Sequence, residues 1–279
     1  MCNTEATPAQ EDGKPAQEWP FAGLVDRLGQ AHDEFLSAIQ TDYMKCLTDP
    51  AAFEKSTALS GLLARSCALG LDVLTEESLW VAEVGGILLR CQCETLIILS
   101  WLLHKDDPLI YKRFFQYSLG QQDLYGLRLA DDDGYRKAFK ALHIGGDDLA
   151  DAMSKDSWAA QFRTIELGNW AGTDTRKMAE EGGTKNFYDL VFSLYSADVH
   201  SQFISIARWN MVPCKNPLHN YHLLPAFGRR AVNLALPLTA CVLLSETCQR
   251  FFQYYHVDAT CIGVLTRLLN DPAVTVLTK

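Results

Sequence analysis

The chain has 279 residues, 48% of them hydrophobic and 21% charged, with a formal net charge of −9. That balance belongs to a folded globular protein, long enough to bury a substantial core, and excludes a mainly disordered chain. An acidic chain offers phosphates no general basic surface, so nucleic acid as an obligate partner is disfavoured.

The first twenty residues, "MCNTEATPAQEDGKPAQEWP", have no apolar core, and their Pro, Gln, Glu and Ala content reads as a flexible tail rather than a signal peptide. "FAGLVDRLGQAHDEFLSAIQTDYMKCL" then repeats apolar residues at spacings of three and four, which predicts an amphipathic helix ending at Asp49-Pro50. "AAFEKSTALSGLLARSCALGLDVL" predicts a second helix. Thr75 with Glu76 and Glu77 reads as the cap of a third, over about residues 76–104, apolar nearly all round and therefore central.

Asp107-Pro108 opens a fourth helix, and Gly134 and Gly145-Gly146 read as breaks around a short helical piece. "DDLADAMSKDSWAAQFRTIE" predicts a more polar helix. Thr184 is placed to cap "FYDLVFSLYSADVHSQF", residues 187–203. A turn-rich stretch, "MVPCKNPLHNYHLLPAFGRR", leads to a last long helix in which Pro237 predicts a kink, and a short helix follows. No sustained alternation predicts a strand. The reading is an all-α, single multi-helix bundle: a tail over 1–20 and one helical domain over 21–279.

The greasiest segments, "TLIILSWLLH" and "AVNLALPLTACVLL", fall short of the roughly 20 apolar residues needed to span a bilayer. They read as core helices, with no membrane span. Nine cysteines, irregularly spaced and without a CxxC pair, indicate a reducing cytoplasm with no disulfide framework.

Two polar features stand out in apolar helices. Arg90 and Glu94 lie four apart, on one face of the third helix. Charges there are costly to bury unless paired, so the pair is either structural or faces a polar site. Asp189, Ser193, Ser196 and His200, spaced four, three and four, form one line along a helix that is apolar on nearly every other side. A histidine near a carboxylate and a guanidinium can be tuned toward acid–base work.

"LLRCQCETL" and "NWAGTDTRKMAEEGGTKNFYDLVFSLYSADVHSQF" resemble the signature of a family of all-helical, mainly bacterial proteins known only as a domain of unknown function. Its Arg-x3-Glu, Trp-x-Gly and Tyr…Tyr-Ser-x3-His pattern falls here on Arg90 and Glu94, on Trp170 and Gly172, and on Tyr188, Tyr195, Ser196 and His200. The resemblance spans roughly residues 80–210. It implies a helical fold and a shared polar cluster, and no activity.

Weaker signals compete. Arg136 and His143 loosely fit the Arg-x4–6-His pattern of HEPN-type ribonucleases, on a polar helix. His219 and His222, three apart in a Pro-rich loop, are a metal-type spacing without a convincingly placed thiol or carboxylate, and read as solvated. "DDDG" at 131–134 lacks the alternating ligands of a calcium loop. No phosphate loop, nucleophile elbow or zinc-protease motif occurs, so no metal and no cofactor are expected.

Three functions fit. The first is a binding or regulatory module whose cluster takes a small ligand or a partner's side chain, with Trp170, Tyr188, Tyr195 and Ser196 as binding residues. The second is a metal-independent, ribonuclease-like toxin or defence effector. There His200 is the general acid or base, Arg90 meets a phosphate and Glu94 orients one of them. The third is a structural subunit, homo-oligomeric or part of a larger assembly, joined through its C-terminal helices.

Overall fold

The computed structural model describes residues 22–46, 50–131, 134, 137, 169–227 and 232–275. The expected tail over 1–20, the Arg136/His143 pair, the Gly145-Gly146 break and the helix expected over 147–166 lie outside them. Gly134, expected as a break, has helical backbone.

Helix α1 (Ala22–Tyr43) buries Leu24, Leu28, Phe35 and Ile39, a single stripe at helical spacing. Helix α2 (Phe53–Thr75) ends at the residue expected to cap the next helix. Thr75 turns its hydroxyl back to donate to the Leu71 carbonyl at 2.9 Å, so it caps nothing ahead of it. A 3-10 turn, Glu77–Leu79, takes up the acidic residues, and the fully buried Trp80 seals the corner by donating its indole N–H to the Val73 carbonyl at 2.8 Å. Helix α3 therefore starts only at Ala82 and runs to Lys105. Asp106, at φ 43°, ends it in the left-handed region. Asp107 accepts a hydrogen bond from the Leu109 N–H at 2.9 Å, and α4 (Pro108–Asp131) begins where expected.

Asp174 caps α5 (Thr175–Glu181) by accepting from the Lys177 N–H. The stretch "FYDLVFSLYSADVHSQF" divides. Helix α6 (Lys185–Phe187) leads into a π-helical turn, Tyr188–Phe192, and α7 (Ser193–Val199) continues from it. Helix α8 (Phe203–Trp209) follows a sharp turn. Strands β1 (Met211–Pro213) and β2 (Leu223–Pro225) pair antiparallel, with Val212 opposite Leu224. This hairpin was not anticipated, because three-residue strands are too short to show alternation. Helix α9 (Ala235–Tyr254) starts four residues later than its apolar pattern suggests. Pro237 consequently lies in its first turn, where a missing N–H costs nothing, instead of kinking its middle. Helices α10 (Thr260–Leu269) and α11 (Pro272–Thr275) complete the described chain.

The core is the mutual packing of α2, α3 and α9, and α10 closes over α1 and α9. Leu59, Leu74, Leu89, Leu96, Leu99, Phe251 and Phe252 are fully buried. Each such side chain contributes about 1.5–3 kcal/mol, more than the roughly 0–1 kcal/mol of a surface ion pair, so apolar burial holds the bundle together. One buried charge also helps. Asp42 of α1 accepts hydrogen bonds from the Cys261 N–H at 2.9 Å and the Thr260 hydroxyl at 3.1 Å, capping the start of α10 from a distant helix.

By length and composition 53–75, which the sequence reading did not weigh, and 83–105, which extends the segment "TLIILSWLLH", are long and apolar enough to cross a membrane. Half of the most apolar window in the first, and 61% of that in the second, is buried inside the fold. No disulfide joins the described cysteines.

Candidate functional site

Helix α3 carries Arg90 and Glu94 on successive turns of one face, beside the π-helical turn and α7. The Arg90 guanidinium is held from three directions. Its Nη1 donates to Glu94 Oε2 at 3.1 Å, and its Nε donates to Ser196 Oγ at 3.4 Å. Its central carbon lies 4.4 Å from the Phe192 ring centroid, a cation–π contact. Phe192 stacks in turn on Tyr188, with centroids 5.0 Å apart. The Ser196 hydroxyl donates to the Phe192 carbonyl at 2.6 Å and so keeps an oxygen lone pair for Arg90. The Arg90 side chain is 15% exposed and that of Glu94 36%, so the carboxylate is the more open end of the pair.

The polar line expected along 189–200 is divided. A π-helical turn holds one more residue than an α turn, so residues beyond it lag by about 100° relative to those before it. Asp189, upstream, is exposed and pairs with Lys185. Ser193 is exposed, and Ser196 alone of the four side chains reaches Arg90. His200 closes α7, its backbone N–H donating to the Ser196 carbonyl at 3.1 Å. Its side chain is exposed and makes no hydrogen bond or ion pair among the described residues. Ser201, at φ 48°, then turns the chain toward α8.

Tyr195 lies on another side of α7, half-buried against Gly86 of α3. Burial raises its phenol pKa, and the nearby Asp198 charge raises it further. Asp198 escaped the sequence reading. Its carboxylate accepts from the Ser205 hydroxyl and from the Trp209 indole N–H at 3.1 Å, tying α8 to α7. Ser205 and Trp209 do share a helix face at a spacing of four, but the turn at Ser201 hides their relation to Asp198. Trp170 belongs elsewhere. It packs edge-on against Trp101 and Phe114, with centroids 5.7 and 4.8 Å away. Trp101 is eleven residues beyond Arg90, about 16 Å along α3. Gly172, at φ 65°, makes the left-handed turn that follows Trp170.

The structure thus brings Arg90, Glu94, Ser196 and Tyr188 together through Phe192. It places His200 one turn beyond, Tyr195 around the helix and Trp170 at the far end of α3.

A model described as a family of unknown function, DUF5677, matches residues 57–216. The chain belongs to this family. The DUF5677 match runs from α2 to just past β1 and includes every residue of the cluster. No curated protein and no solved structure matches the chain. Membership carries the helical fold and leaves the biochemical role unknown.

Proposed function

We propose that the chain is a cytoplasmic binding or regulatory module, one helical domain over residues 21–279. Its recognition site is built on Arg90, Glu94, Ser196 and His200. The observation that supports this is the fixed guanidinium of Arg90 beside an open carboxylate. Arg90 is locked by Glu94, Ser196 and the Phe192 face, while the Glu94 side chain is partly exposed and that of His200 exposed. Such an arrangement is preorganised for hydrogen bonding, which limits the ordering cost of capture. Large apolar side chains at Leu190, Leu194, Phe203 and Ile204 are exposed on the neighbouring elements, which suits a partner's side chain as ligand.

The ribonuclease-like reading draws on one observation, the exposure of His200 one turn from a serine that Arg90 touches. It lacks a contact between His200 and either charged residue. The assembly reading through the C-terminal helices is less well supported. Among the described residues after 230, the exposed large apolar side chain is Val242, and α9 and α10 spend their apolar faces on the core.

The test uses His200→Ala, which removes an exposed side chain and leaves the packing alone. Thermal unfolding of wild type and variant is followed with inorganic phosphate, nucleotides and small carboxylates, alongside RNA integrity in expressing cells. The binding reading expects intact RNA and a ligand-induced rise in Tm that shrinks in the variant. RNA cleaved by wild type and spared by the variant establishes the nuclease instead.

A further inference from the structure

The hairpin that the sequence did not reveal brings a thiol to the two loop histidines. The loop "CKNPLHNYH" joins β1 to β2, and Cys214, His219 and His222 converge in it. The Cys214 sulfur and a ring nitrogen of each histidine lie within 4.8 Å of one another. Cys214 Sγ is 3.7 Å from His219 Nδ1, and the two imidazole rings meet edge to face with centroids 5.5 Å apart.

The backbone fixes this convergence. The Cys214 N–H donates to the His222 carbonyl at 2.8 Å and closes the loop at its base. The His219 N–H donates to the Asn216 carbonyl at 3.0 Å, and the His222 N–H to the His219 carbonyl at 3.1 Å, so both histidines sit on consecutive tight turns. Asn216 Oδ1 accepts from the Leu218 N–H at 3.0 Å, and its Nδ2 lies 3.2 Å from His219 Nε2, a contact that ends when a metal on Nδ1 moves the ring proton to Nε2. Tyr221, at φ 63°, takes the left-handed conformation that sets His222 beside His219.

We propose that Cys214, His219 and His222 form a three-ligand site for a divalent cation of the zinc class. Tetrahedral zinc, with bonds of about 2.3 Å to sulfur and about 2.0–2.1 Å to nitrogen, holds a sulfur and a nitrogen about 3.5 Å apart. The Cys214–His219 separation is already close to that. A thiolate with two imidazoles selects zinc-like ions over magnesium and calcium, which prefer oxygen ligands. Binding replaces the thiol proton, which leaves to solvent, with a metal–sulfur bond. Three protein ligands leave the fourth corner of the tetrahedron for water or an incoming group. The site is separate from the Arg90 cluster. The DUF5677 match ends at residue 216, so it takes in Cys214 and stops before both histidines.

The experiment is titration of the full reduced chain with cobalt(II), then displacement by zinc, in wild type, Cys214→Ser, His219→Ala and His222→Ala. The proposal expects a single tight equivalent in wild type, with the absorption of tetrahedral cobalt and a sulfur-to-cobalt charge-transfer band. It expects the charge-transfer band to vanish in Cys214→Ser and the affinity to fall at least tenfold in each histidine variant. Circular dichroism of the metal-free variants should overlay that of wild type, since His219 and His222 are exposed and Cys214 is outside the core. Absence of the charge-transfer band in wild type, or its persistence in Cys214→Ser, overturns the site.

Discussion

Gly86 and Tyr195 meet so closely that a single methyl group would not fit between them. A Cβ at residue 86 would stand 2.5 Å from Tyr195 Cδ1 and 2.8 Å from Asp198 Oδ2. This contact seats α7, with Ser196, on α3, with Arg90. The Gly86→Ala variant should therefore be destabilised by about 1–3 kcal/mol, even though alanine is the better helix former, because overpacking outweighs propensity. A lower urea midpoint with unchanged m-value checks this. A midpoint at or above that of wild type would show that Tyr195 moves aside freely.

Asp42 makes stability depend on pH. Burial pushes its carboxyl pKa up, but the Lys45 ammonium and the hydrogen bonds from Cys261 and Thr260 together bring it below the usual value of 3.8. A carboxyl whose folded pKa is depressed stabilises the fold above its unfolded pKa and loses that contribution as pH falls through the folded one. Asp42→Asn should cost about 1–3 kcal/mol at neutral pH. The gap between wild type and variant should begin to narrow below about pH 4, where Asp42 of the unfolded chain takes up a proton, and close as pH falls through the lower folded value. Chemical denaturation of both proteins from pH 7 to pH 3 measures it, and a gap that stays constant would refute the linkage.

Arg250 holds the approach to the cluster. Its Nη1 and Nη2 donate to the Gly182 and Gly183 carbonyls at 2.8 and 3.0 Å, and its Nε donates to Glu246. These carbonyls follow the end of α5, where helical partners run out. Arg250→Ala should cost about 1–3 kcal/mol, and Arg250→Lys most of that, because an ammonium cannot reproduce the fork. Amide exchange at Thr184 and Tyr188 should quicken in both. Unchanged exchange there would confine the arginine's role to α9.

Arg90 and His200 should separate stability from function. Arg90→Ala leaves Glu94 without its cation and Ser196 without its donor, and should lower stability by about 1–3 kcal/mol. His200→Ala should stay within about 0.5 kcal/mol of wild type, as an exposed side chain without such bonds. Equal losses in the two variants would mean that His200 is tied into the fold in solution.

Burial in the thiols gives a chemical readout. Burial pushes the pKa of Cys93 and of Cys241 up to about 12. At pH 8 both should resist iodoacetamide in the native protein, while the half-buried Cys91 and Cys214 react before them. Peptide mass mapping after timed alkylation checks the order. Fast modification of Cys93 or Cys241 would indicate frequent opening of α3 or α9.

Long elements were legible because their signal is periodic. Leu24, Leu28, Phe35 and Ile39 announce the buried stripe of α1, and Asp107-Pro108 marks the start of α4. Their boundaries were less so. Thr75 and Glu76 look like a cap in sequence, yet Thr75 bonds backward to Leu71 while Trp80 fills the corner that follows. In the cluster, the Arg90–Glu94 pair follows from a spacing of four on one helix. Its union with Ser196 depends on two helices packing, which no spacing specifies. Asp198 with Trp209, and Cys214 with His222, were hidden for a different reason. Left-handed residues at Ser201 and Tyr221 redirect the chain, and neither is a glycine that would flag the turn.

The wide turn at Tyr188–Phe192 is also a seam. Because it stores one residue more than a regular turn, a chain shortened by one there can close to ordinary α geometry with both flanks in place. Lys185 would stay where α5 delivers it, and Ser196 would still come to rest on Arg90. An extra residue inserted within Ser193–Val199 has no such slack and would swing His200 about a third of the way around the helix. Length changes in this stretch should therefore be forgiven in one direction and at one place, and a comparison of single-residue deletions and insertions would map the tolerance directly.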